Sequence, residues 1–133
     1  MIRFSSLQRF ALLIVPLSLI SLHIAGQVAG GNQRIELKPG APALTIEGDV
    51  THGRSVVYVF HAAAGLKFNG RITKKTGNIG FAVDPPSGGG LPEEEFDFNT
   101  TLTGSLPETG DYRIIVATFE THPAHYVLVV RVY

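Results

Sequence analysis

A turn signal, Leu106-Pro107-Glu108-Thr109-Gly110-Asp111, runs straight into a segment whose alternate residues Tyr112, Ile114 and Val116 share one face. The same period of two closes the chain, with Tyr126, Leu128, Val130 and Val132 on a common face. Past the first thirty residues no stretch shows the 3.6-residue period of an amphipathic helix. A chain patterned this way has to bury its strands between stacked sheets.

The remaining segments follow suit. Residues 33–38 alternate, with Ile35 and Leu37 on one face, and Pro39-Gly40 ends them. Residues 43–50 place Leu44 and Ile46 inward before the turn Thr51-His52-Gly53. Residues 54–62 are apolar on both faces, with Val56, Tyr58 and Phe60 opposite Val57 and Val59, which predicts a central strand. Leu66, Phe68, Gly70 and Ile72 predict one continuous strand through Asn69-Gly70, ending at the polar turn 74–78. Ile79, Phe81 and Val83 form the next inward face, and Asp84-Pro85-Pro86-Ser87-Gly88-Gly89-Gly90 reads as the most mobile loop. Phe96 and Phe98 lie beside Glu93-Glu94-Glu95, and a modest strand over 100–106 carries Leu102. The final pair, 112–119 and 126–132, is predicted as a hairpin joined by 120–125. About eight strands at intervals near ten residues predict an all-β fold, a two-sheet antiparallel β-sandwich of jelly-roll or Greek-key type.

The first thirty residues read differently. Arg3 and Arg9 stand without an acid, residues 10–24 are almost wholly apolar, and Ala25, Gly26, Ala29 and Gly30 follow. These are the parts of a secretory signal peptide, predicted over 1–30 with cleavage between about residues 26 and 30. The apolar run is broken by Pro16 and is short against the roughly 20 residues that cross a bilayer as a helix. The expectation is an exported protein, periplasmic or secreted, with one domain over 31–133 and no membrane attachment once the leader is gone.

Outside the leader nine basic residues face eleven acidic ones. A phosphate backbone would find no basic stripe, so nucleic acid is excluded as a partner. Cysteine is absent, so the domain stands on its core without disulfides, and thiolate metal sites are ruled out.

Catalytic signals are missing. Ser55, Ser87 and Ser105 lie in no Gly-x-Ser-x-Gly elbow, and Ser87-Gly88-Gly89-Gly90 does not open a helix that would cradle a phosphate. The chain reads as a non-enzyme with no catalytic residue, cofactor or metal assigned. His122 and His125 are three apart, a spacing some metal sites use, but they read as surface residues or protein contacts. His52 decorates its turn and His61 a strand surface. Glu93, Glu94 and Glu95 form a solvated acidic edge that guards a sheet border, while the run lacks the ligand spacing of a calcium loop. Such a patch also steers a basic partner toward it.

Together with Ala63-Ala64-Gly65, Val57-Tyr58-Val59-Phe60, Gly77-Asn78 and Pro85-Pro86-Ser87-Gly88, the Gly110-Asp111-Tyr112-Arg113-Ile114 element resembles the bacterial pre-peptidase C-terminal (PPC) domain and the similar periplasmic inhibitors of goose-type lysozyme. The resemblance runs over nearly the whole of 31–133. It implies an accessory sandwich or, in the stand-alone proteins, an inhibitor whose surface loops plug a muramidase cleft. On that basis the binding candidates are Ser87 and Gly88 in one inserting loop, 84–92, His122 and His125 in another, 120–125, and Glu93, Glu94 and Glu95, which add attraction for a basic enzyme. The second loop is short and lacks lysine and arginine, whereas the inhibitors it resembles tend to be longer and basic there. The implied partner is a lysozyme-type enzyme or an envelope protein; the alternative is a generic PPC-like envelope module binding polysaccharide or a partner protein.

Overall fold

A computed structural model describes residues 32–74, 77–91 and 100–133. Eight strands follow in order: β1 (Asn32–Arg34), β2 (Leu44–Val50), β3 (Val56–Ala62), β4 (Lys67–Lys74), β5 (Ile79–Asp84), β6 (Thr101–Ser105), β7 (Gly110–Thr118) and β8 (Ala124–Val132). The expected leader and cleavage zone, residues 1–30, and the run Glu93, Glu94, Glu95 with Phe96 and Phe98 lie outside the described residues.

The strands form two four-stranded sheets, in the orders β1-β3-β7-β5 and β2-β8-β4-β6. Among the described residues, odd-numbered strands make one sheet and even-numbered strands the other, so consecutive strands lie on opposite sides of the core. The predicted β-sandwich is present, with antiparallel pairing throughout except where β1 lies parallel to β3.

This alternation corrects the expected final hairpin. β7 and β8 are neighbours in sequence but lie in opposite sheets, β7 between β3 and β5 and β8 between β2 and β4. Their inward rows enter one core from opposite sheets instead of lying side by side in one. Tyr112, Ile114 and Val116 from one, and Tyr126, Leu128 and Val130 from the other, are completely buried. Both are interior strands of their sheets, as are β3, predicted to be central, and β4.

Three boundaries also move. The first strand is Asn32–Arg34 rather than 33–38; Ile35 still donates its N–H to Val59, and the chain then peels away so that Leu37 drops into the core. β7 begins at Gly110 and β8 at Ala124, each two residues earlier than the apolar pattern suggested, because cross-strand partners extend a ladder past its apolar stretch. His125 consequently sits within a strand.

Across the core the ring of Phe60 stacks on Phe68 at 5.6 Å and on Tyr112 at 5.4 Å, joining the two sheets. The hydroxyls of Tyr58 and Tyr126 meet at 2.6 Å, so two buried polar groups satisfy each other between the layers. Burial raises the pKa of both phenols, so both are neutral. Gly48 of β2 makes room for this pair: a Cβ there would lie 2.7 Å from the Tyr126 Oη.

Candidate functional site

The strand registers settle which loops share an end of the sandwich. Asp84, the last residue of β5, pairs with Arg113 near the start of β7, and Ala62, the last of β3, pairs with Gly110. The β3–β4, β5–β6 and β6–β7 connections therefore meet at one end. The β2–β3 and β7–β8 connections lie at the other, since Val56 pairs with Val116 and Val50 with Ala124. Nine residues of β7 put roughly 25–30 Å between the two ends.

The turn after β6 is the hub of the first end. Tyr112 folds back so that its hydroxyl donates to the Glu108 carbonyl at 2.6 Å and accepts the Glu108 N–H at 3.0 Å, the tyrosine-corner arrangement of β-sandwiches. Burial is the main cause of the raised Tyr112 pKa. With the turn locked, its side chains reach outward to two other loops. Thr109 Oγ1 accepts the Ala64 N–H at 2.9 Å, and Gly65 donates to the Leu106 carbonyl at 2.8 Å. The Glu108 carboxylate accepts both the Ser87 hydroxyl, at 2.7 Å, and the Ser87 N–H, at 3.2 Å.

The segment expected to be most mobile is thus tied down on two sides. Gly88 closes a turn onto the Pro85 carbonyl at 2.9 Å, and Gly88, Gly89 and Gly90 all adopt positive φ, which glycine alone takes without cost. Pro85 and Leu91 are buried, so both feet of the loop are anchored in the core. Gly110 permits the approach: it has φ +152°, and a Cβ on it would stand 2.8 Å from Pro86 Cγ. The exposed crown comprises Ala64, Gly65, Pro86, Ser87, Gly89 and Thr109. It is small, uncharged and backbone-rich, a rigid tip suited to entering a cleft.

Ser87, with half-buried Gly88 beside it, belongs to this crown. His122 does not; it is exposed on the β7–β8 connection at the far end. His125 is at the far end too, and its Nδ1 meets Asp49 Oδ1 at 2.6 Å across the β8–β2 ladder. The two predicted inserting loops therefore point in opposite directions, and a single cleft accepts one of them. Among the described residues no group of three or more His, Asp or Glu side chains is placed to hold a metal ion.

A charged group beside the crown was missed in sequence. Arg34 donates twice to the Asp111 carboxylate, both at 3.1 Å, and His61 Nδ1 lies 3.1 Å from the same group. Hydrogen bonds from Arg34, then from His61, hold the Asp111 carboxyl below its ordinary pKa. On the next row Arg113 meets Asp84 at 3.1 Å. No sequence signal reveals these partners, because Arg34, His61 and Asp111 come from three different strands.

No protein-family model matches the sequence, and no curated protein does. Solved structures do. PliG from Aeromonas hydrophila, a periplasmic inhibitor of g-type lysozyme, superposes with a TM-score of 0.61 at 22% identity, covering 79% of this chain and all of that one. The Salmonella Typhimurium PliG gives 0.59 at 19% identity, again over 79% of this chain and all of that one. The pre-peptidase C-terminal domain of a Bacillus anthracis collagenase gives 0.56 at 16%, over 80% of this chain and all of that one. This chain shares their fold. The resemblance seen in the Gly110-Asp111-Tyr112 element is thus a resemblance of architecture, carried by residues that build the corner and the core.

Proposed function

We propose that the chain is an exported, non-enzymatic binding protein that inhibits a goose-type lysozyme by inserting the 85–90 turn into the muramidase cleft. The observation that carries this reading is the double hydrogen bond from Ser87 to the Glu108 carboxylate, which holds a small, uncharged turn rigid at the tip of the fold. A loop ordered before binding loses little conformational entropy on insertion. The likeness to PliG inhibitors of g-type lysozyme supports a partner that is a protein. Ser87 and Gly88 form the inserted tip in this reading, and Glu93, Glu94 and Glu95, which follow in sequence, attract a basic enzyme. His122 and His125 lie outside that contact. The alternative, a polysaccharide-binding module, lacks a platform among the described residues: the exposed rings of Phe119 and Tyr133 sit at opposite ends of the sandwich.

Clearance of a bacterial cell-wall suspension by goose-type lysozyme tests the proposal. Added protein is expected to slow clearance in proportion to its occupancy, and Glu108→Ala, which frees the Ser87 turn, to weaken it about tenfold. Clearance at an unchanged rate in micromolar excess would refute the assignment.

A further inference from the structure

The two outer faces of the sandwich differ in character. The even-numbered sheet turns Glu47, Asp49, Lys67, Arg71, Thr103 and Arg131 outward around the half-buried Val127 and Val129 of β8, a surface in which charged and polar side chains predominate. The odd-numbered sheet carries Val57, Ile115 and Ala82 side by side in one cross-strand row. Val59 and Ala117 flank that row, and all five are half-buried. The alternation places Phe119, 65% exposed, just past the end of β7 on the same side. At the other end of this face stand the Arg34–Asp111–His61 group and the Arg113–Asp84 pair.

We infer that this face is a contact between two copies of the chain, related by a twofold axis passing near Ile115. A twofold contact requires a patch complementary to itself, and the order of features along β7 meets that condition. With the two β7 strands antiparallel, apolar centre meets apolar centre. Each Phe119 then lies over the Arg34–Asp111 pair of the other copy. A guanidinium held flat by two hydrogen bonds to a carboxylate, as Arg34 is, presents a planar cation on which an aromatic ring stacks. The paired charges in this corner leave no net charge to repel a second copy. The four strands of this sheet, of three, seven, nine and six residues and about 4.8 Å apart, offer roughly 800 Å² from two copies. That area is below the roughly 1,000 Å² of a stable interface and fits a weak, concentration-dependent association. The Ser87 crowns of the two copies would point in opposite directions, both unobstructed.

Sedimentation equilibrium on the protein expressed from its full sequence tests this. The mass is expected to rise from one chain to two between about 1 and about 500 micromolar. Ile115→Glu and Phe119→Ala should each weaken the association at least tenfold, and Arg71→Glu on the opposite face should leave it unchanged. Because the chain has no cysteine, a second test is independent of charge and folding effects. A thiol cross-linker of about 8 Å reach, suited to sheets packed about 10 Å apart, should join Ile115→Cys chains and leave Val129→Cys chains single. A single-chain mass at every concentration, or equal cross-linking of the two cysteine variants, overturns the inference. Lysozyme inhibition retained by Ile115→Glu separates this contact from the proposed inhibitory one.

Discussion

Replacing Tyr112 by Phe removes one oxygen from the corner and nothing from the core. The ring stays completely buried and stacked on Phe60, so no cavity opens and the change isolates the hydroxyl. Two hydrogen bonds go with it, to the Glu108 carbonyl at 2.6 Å and from the Glu108 N–H at 3.0 Å. Each is worth about 1 kcal/mol net, and the part-buried Glu108 backbone is left short of partners, so the expected loss is about 1.5–3 kcal/mol. For a domain near a hundred residues this lowers the Tm by roughly 10 °C. The damage should also be local in a particular way: with Glu108 released, amide exchange at Ser87, Ala64 and Gly65 should accelerate beyond what the global loss predicts. Chemical denaturation of the two proteins, combined with site-resolved hydrogen exchange, measures both quantities. A loss below about 0.5 kcal/mol, or exchange that rises uniformly across all strands, would refute the corner as the fastening point of the three loops.

Three further outcomes follow from the packing and the charges. Tyr58→Phe and Tyr126→Phe should each cost about 1–2 kcal/mol, whereas the double variant should cost clearly less than their sum, because removing both hydroxyls leaves no buried group unpaired; additive losses in urea denaturation would contradict this. Gly48→Ala drives a methyl to within 2.7 Å of a Tyr126 Oη held by Tyr58 and should destabilise by about 1–3 kcal/mol, unlike Gly40→Ala, where strain from positive φ acts without a clash. The pKa of Asp111 is depressed in the folded chain by Arg34 and His61, so its contribution is present above the usual carboxyl pKa and is lost as pH falls through the lower folded value. Asp111→Asn should therefore flatten the acid side of the stability-against-pH curve, and an unchanged acid limb would remove Asp111 from that role.

The fold class was legible because a period of two survives in any environment that dries one face of a strand. Tyr112, Ile114, Val116 and their counterparts Tyr126, Leu128 and Val130 announced two strands with one buried face each. What they could not announce is that these strands lie in opposite sheets. Hairpin pairing and sandwich crossing place identical demands on alternation, and a five-residue connection between β7 and β8 spans either geometry. The candidate site divided along the same line. Ser87 and Gly88 were recognised as loop residues, but the tie to Glu108 joins positions twenty-one residues apart. His122 and Ser87 looked like partners in one contact until the registers set them at opposite ends. Leu91 looked like part of a free loop and is a core residue.

Alternating polarity alone determined which side chains are dry, and hence that this chain folds as stacked β layers around an apolar interior. Burial is a property each residue brings with it. Neighbourhood is not: the odd-even division of the sheets, the three loops fastened at Glu108 and the Arg34–Asp111–His61 group all depend on pairings between distant segments, which form only when the whole ladder closes.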